Sequence, residues 1–339
     1  MKKTLVALSV LAASASATAG FEIYNQDGVS VNLGGDIEVV YVKGLEKDTK
    51  AEQQIQDADV ALDVRYAVSD SIQVGGFWQI NDVGVDNDGG NAGDAYVAVY
   101  SDSFGSVKVG RTCSALDDAG IGSDYQFGLT TFFEDSEVYC ADEIIRYDVD
   151  KGNFYGTLAI VQDVNGNESL APSSTYFDGA LGYRVADFDF VGFYGQGDVL
   201  DGADKVEQTT WSVQAKYNGI ENVALAVAYY DMIGKPLVGE KSDTDTIAFA
   251  ATYTMEKTTF AAGYSVSSSN QELYGNDTNG NNISEKDHDA WYVNAGYAIA
   301  PNTTLYAEVG AGNGYTETDV AGVYTKDETG YAVGVKAFF

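Results

Sequence analysis

Along most of the chain apolar and polar residues take turns. From Ser30 to Tyr41, the residues Val31, Leu33, Gly35, Ile37, Val39 and Tyr41 fall on one face, while Ser30, Asn32, Gly34, Asp36 and Glu38 fall on the other. Alternation of this kind marks a strand with one apolar side, and about ten residues suffice to cross a bilayer when the strand is tilted. The same pattern sets Val60, Leu62, Val64 and Tyr66 against Asp59, Ala61, Asp63 and Arg65, and it returns at 209–217, 291–298 and 331–339. Sixteen such segments are predicted, starting near residues 28, 52, 71, 91, 104, 141, 153, 173, 187, 207, 222, 242, 257, 287, 302 and 326. Short turns at 101–104, 151–152 and 301–302 interleave with longer polar connections.

Alternation alone suits a soluble sandwich or propeller as well as a barrel. Three features select a transmembrane barrel. Many segments begin or end on Tyr, Phe or Trp, as two interfacial girdles require. The apolar faces carry small and medium side chains with almost no charge, and Phe338-Phe339 lie inside a predicted strand. Beyond the first residues no apolar run reaches the length of a membrane helix, so a closed all-β barrel is the remaining way to satisfy every backbone group in lipid.

Residues 1–19 have two lysines, an apolar run and Ala17-Thr18-Ala19, the layout of a secretory signal peptide. Residues 20–339 are then expected to form one barrel domain. Its compartment is oxidising enough for Cys113 and Cys140 to pair, two unpaired thiols being the alternative. Between these cysteines the alternation stops, and a long acidic stretch carries Asp117, Asp118, Asp124, Glu134 and Asp135 with no basic residue. A long loop held at both ends is expected to be functional.

The formal charge of −32 repels nucleic-acid phosphates and attracts cations. An enzymatic reading finds little: His288 is the single histidine and stands in the charged stretch SEKDHDA. Residues 82–94 have the look of a calcium loop but lack its ligand spacing. No cofactor is expected beyond divalent cations held loosely by acidic outer loops, bridging to lipopolysaccharide phosphate.

FEIYNQDGVSVNLGGDIEVVY at the mature start, DAYVAVYSDSFGSVKVGR before the acidic loop, EIIRYD after it and the terminal aromatic pair together resemble the general diffusion porins of Gram-negative outer membranes. The resemblance implies a sixteen-stranded antiparallel barrel in the outer membrane, assembled as a homotrimer, whose third outer loop folds into the lumen and sets its carboxylates opposite a basic wall. By position the loop is residues 113–140, and Asp124 and Gln126-Phe127-Gly128 stand where the family has an Asp and a Pro-Glu-Phe-Gly. Gln126 thus replaces a glutamate. Asp36 stands at a family lysine, Ala61 and Cys140 at family arginines, and Gly93 or Asp94 at another, so the basic ladder is largely dismantled.

Strand parity makes Arg65, Arg146, Arg184, Lys216 and Lys336 the wall cations, with Arg111 where the loop departs, and sets Asp36, Glu38, Asp59 and Asp63 against them. The expected function is a water-filled channel for ions and small hydrophilic solutes that favours cations. One alternative is an oligosaccharide-selective porin with Tyr125, Phe127, Phe132 and Phe133 as a track for sugar rings. Another is a non-conducting adhesive or structural barrel.

Overall fold

The computed structural model describes residues 20–83, 91–129, 138–162, 170–201, 204–277, 280–317 and 323–339. The expected leader at 1–19, the loop acids Glu134 and Asp135, the aromatics Phe132 and Phe133, and most of the calcium-like stretch lie outside these residues.

Sixteen long strands form the wall. In chain order they are β1 (Val29–Lys43), β2 (Glu52–Ser69), β3 (Ile72–Asn81), β4 (Asn91–Ser101), β5 (Gly105–Cys113) and β6 (Cys140–Asp150). Next come β7 (Phe154–Gln162), β8 (Thr175–Val185), β9 (Phe188–Asp201), β10 (Asp204–Ile220) and β11 (Val223–Pro236). The last five are β12 (Ser242–Met255), β13 (Thr258–Asp277), β14 (Asn282–Ala300), β15 (Thr303–Gly312) and β16 (Gly330–Phe338). Each is antiparallel to the next. β16 returns to β1 with Tyr331 opposite Lys43 and Phe338 opposite Asp36, so the sheet closes and leaves no long free edge.

The predicted faces hold. Ile37, Tyr41, Val64, Trp78, Val97, Leu181, Val293 and Val333 form an exposed apolar belt, whereas their neighbours Glu38, Asp63, Ala98, Tyr292 and Ala332 are buried on the opposite side. An outward apolar band over a polar interior is what lipid on one side and water on the other select. No helix of the described residues is long and apolar enough to cross a membrane, which leaves the strands to do so.

Three details differ from the alternation pattern. Phe21–Gln26 forms an extra strand that folds back through Asp27-Gly28 onto Val29–Leu33 of β1. Both turn residues have positive φ, at 53° and 78°, which suits the Asp-Gly pair of a tight hairpin. Strands β13 and β14 run further beyond the wall than expected, to Asp277 and from Asn282. Finally, the last wall strand begins at Gly330 rather than near 326, because Val323–Lys326 pairs with Tyr315–Glu317 in a separate hairpin.

Candidate functional site

The root of the acidic loop is tied to the barrel by covalent and polar contacts. Cys113 and Cys140, opposite each other at the ends of β5 and β6, form a disulfide with Cα atoms 3.9 Å apart. Just beyond it, the carboxylate of Asp178 on β8 accepts the Ser114 hydroxyl and the backbone N–H groups of Ala115 and Leu116, the latter two at 3.1 Å. Asp178 is fully buried, and a buried carboxylate is tolerable only when its oxygens are filled this way. Arg146 on β6 donates to the carbonyls of Cys113 and Ser114 at 3.0 Å and to Asp118 at 2.7 Å. A single 3-10 turn, Leu116–Ala119, follows. The Ala119 carbonyl accepts from Gln214 on β10 and from the Tyr230 hydroxyl on β11 at 2.8 Å.

Removing the disulfide by Cys113→Ser and Cys140→Ser is expected to lower unfolding stability by roughly 3 to 4 kcal/mol, the chain-entropy value for a loop of this length. Urea unfolding in detergent with and without reductant measures it. The buried carboxylate of Asp178 should keep the root of the loop docked in that variant.

The tip of the loop is held on the far side of the ring. The Ser123 N–H donates to the Tyr292 hydroxyl on β14 at 2.6 Å, and Asn294 donates to the Ser123 carbonyl at 2.8 Å. Glu308 on β15 accepts three successive backbone N–H groups, from Tyr125 at 2.7 Å, Gln126 at 2.9 Å and Phe127 at 2.8 Å, plus Asn294 at 2.9 Å. Gln126 reaches Glu38 on β1 and the Tyr306 hydroxyl, both at 3.2 Å. Gly128, at φ 59°, adopts the left-handed conformation that lets the chain turn away after this contact.

The described loop aromatics face the wall. Tyr125 stacks on Tyr306 with centroids 3.9 Å apart. The ring of Phe127 fills the space beside Gly310 and Gly330, where any side chain would collide with it. Both rings thus pack on the wall while staying partly exposed.

The wall beside the tip is acidic. Lys336 on β16 bonds Asp36 at 2.9 Å and Glu38 and Asp57 at 3.2 Å. Asp59, the register partner of Asp36, accepts from Gln79 at 2.5 Å and from the Asp82 N–H at 3.2 Å. Elsewhere four inward cations meet a carboxylate: Arg65 with Asp63 at 2.8 Å, Lys108 with Asp148 at 3.5 Å, Arg146 with Asp118 and Asp148, and Arg184 with Asp150 at 2.8 Å. Lys216 also faces inward, without an ion pair among the described residues.

Arg111 departs from expectation. The ladder between β5 and β6 shifts register between Gly110, at φ 137°, and Thr112. Arg111 stands opposite Ala95, in the outward row of Val97 and Val109, and pairs with Asp142. It is therefore no wall cation. Alternation had also passed over Asp57, Asp94, Lys108, Asp148, Asp178 and Glu308. All sit at inward parity, which was readable, but nothing in their local sequence distinguishes those that hold the loop.

Among the loop acids, burial first and the neighbouring Asp118 second push Asp117 up to about 6. Asp124 is also raised, chiefly by burial, with Glu308 adding to it.

A family model described as Gram-negative porin matches residues 4–317. "Porin-like protein H" of Photobacterium profundum is 32% identical, with all of both chains covered. Among solved structures, the trimer form of OmpT, an outer membrane protein of Vibrio cholerae, aligns with a TM-score of 0.74 at 18% identity, covering 92% of this chain and 100% of that one. An anion-selective porin from Comamonas acidovorans aligns equally, at 0.74 and 16% identity, covering 92% of this chain and 100% of its own.

Proposed function

Because the chain belongs to the Gram-negative porin family, whose members are channels and not enzymes, we propose that this outer-membrane barrel is a passive, water-filled pore that favours cations over anions. The loop from Cys113 to Cys140 is the constriction in this reading, its root held by Asp178 and its tip by Glu308. The observation that carries the sign is the pairing of the wall. Lys336 alone faces Asp36, Glu38 and Asp57, and the other paired cations are each neutralised by at least one carboxylate. An unpaired positive ladder that would collect anions is missing among the described residues.

Fold does not decide this sign, since an anion-selective porin shares the architecture. Local charge does. Two unit charges 4 Å apart interact by about 1 kcal/mol in bulk water and about 4 kcal/mol at an effective dielectric of 20. Charges on outer loops are screened beyond about 8 Å in physiological salt, so the net −32 matters less than the narrow part of the lumen.

Assembly as a homotrimer in contact with lipopolysaccharide is part of the proposal, supported by the trimer form of the Vibrio cholerae barrel. So is removal of residues 1–19, which leaves Phe21 at the start of the strand paired to Leu33. Planar-bilayer recording tests the reading: conductance in triplet steps and a reversal potential on the cation side are expected under a salt gradient. A reversal potential on the anion side, or silence, would refute it.

Acidification supplies a further test. An aspartate pushed up to about 6 is charged above that pH and neutral below it, so cation preference should fall between pH 7 and 5, well above the ordinary carboxylate range. Asp117→Asn should remove this inflection from a plot of reversal potential against pH.

A further inference from the structure

The disulfide at the loop root joins two side chains that the backbone holds together by other means as well. Cys113 and Cys140 are register partners at the ends of β5 and β6, with Thr112 paired to Ala141 on one side of them. On the other side the Ser114 N–H donates to the Tyr139 carbonyl at 2.6 Å, so the ladder continues past the bridge. Arg146 holds the carbonyls of Cys113 and Ser114, and Asp178 holds the Ser114 hydroxyl and the N–H groups of Ala115 and Leu116. Breaking the S–S bond therefore leaves two thiols facing each other on a fixed frame.

Asp117 completes the group. It stands in the single 3-10 turn Leu116–Ala119, between the segment held by Asp178 and the Ala119 carbonyl held by Gln214 and Tyr230. Its Oδ1 lies 3.4 Å from Cys140 Sγ, and the two sulfurs and a carboxylate oxygen of Asp117 all lie within 4.8 Å of one another. Cys140 and Asp117 reach the surface, and Cys113 does so in part, so a hydrated ion has access to the three. Asp117 forms no ion pair among the described residues, since Arg146 pairs with Asp118 and Asp148. The carboxylates of Asp118, Asp94 and Asp178 add negative potential around it.

Two thiolates and one carboxylate are donors for zinc, a borderline-soft ion that takes sulfur and oxygen in tetrahedral sites and can leave its fourth position to water. Sulfurs bound at about 2.3 Å in that geometry stand roughly 3.8 Å apart, so the freed side chains need only rotate to admit the ion. We propose that the loop root has two alternative closures: the disulfide, and after reduction a zinc-class divalent-cation site made by Cys113, Cys140 and Asp117. The exchange balances in electrons and protons. A dithiol reductant passes two electrons and two protons to the bridge and closes its own disulfide. The two new thiols then release those protons as their sulfurs bind the metal. The metal restores the tie that reduction removes. This site lies beyond the pore reading and does not depend on conduction.

The test uses the full-length protein in detergent, reduced with dithiothreitol under argon and then freed of it. Cobalt(II) should bind with the intense near-ultraviolet band of thiolate-to-cobalt charge transfer, saturating at about one ion per chain, and zinc should displace it. The unreduced protein should show no band, which separates this site from carboxylates that hold cobalt elsewhere. Asp117→Asn should weaken cobalt binding by at least about tenfold, and Asp117→His, which supplies a ligand nitrogen, should keep it. Circular dichroism should remain that of the barrel throughout. No band in the reduced protein, equal affinity in Asp117→Asn, or loss of the β spectrum on reduction would each overturn the proposal.

Discussion

Replacing Glu308 with alanine should free the tip of the constriction loop and raise the single-channel conductance with added noise. The carboxylate accepts three consecutive backbone N–H groups. Hydrogen bonds to a charged group contribute about 1.5 to 3 kcal/mol each, and the N–H groups left behind must find water. After allowing for relief of a buried charge, loss of docking on the order of 4 kcal/mol is expected. Amide exchange at Tyr125, Gln126 and Phe127 should then speed up roughly a thousandfold. Protection unchanged at these three amides would show that the tip is held by something else. Glu308→Gln, which keeps one acceptor oxygen, should lie between the two.

The second large effect concerns selectivity. Beside the tip, Asp36, Glu38, Asp57 and Asp59 face one ammonium, that of Lys336. The triple variant Asp36→Asn, Glu38→Gln, Asp57→Asn leaves one carboxylate against one ammonium. A cation passing a few ångströms away loses several attractions, each about 1 kcal/mol even in bulk water at 4 Å. The cation-to-anion permeability ratio should fall by on the order of tenfold, with the reversal potential moving toward zero. A matched change at an outer-loop pair such as Lys241 and Asp243 should leave it nearly unmoved, since exposed charges are screened. If both sets shift the potential alike, net charge rather than the constriction controls the pore.

Much of this was legible from alternation, because a strand between lipid and water has a period of two and a wrong register would turn every side chain over. The inward rows of Asp59, Ala61, Asp63 and Arg65, and of Thr210, Ser212, Gln214 and Lys216, follow directly. Arg111 stands where the loop departs, yet it shares the outward parity of Val109, and Asp57 shares the inward parity of Asp59, so alternation places both. The role of Asp178 and Glu308 was illegible. Each is an ordinary inward acid in its own strand, and only the path of a loop more than fifty residues away in sequence identifies what it holds. The strand Phe21–Gln26 pairs with Val29–Leu33, the stretch of the β1 edge that β16, paired with Asp36–Lys43, does not reach.

Asp178 and Glu308 grip the loop mainly by its main-chain N–H groups, which every residue but proline presents. Position and chemistry are thereby separated. Asp117 and Asp124, whose side chains neither acid holds, can therefore change while the loop stays in place, so a lineage carrying these two acids is free to retune what its filter attracts in single mutational steps. Evolution can change the selectivity of such a pore without first rebuilding its architecture.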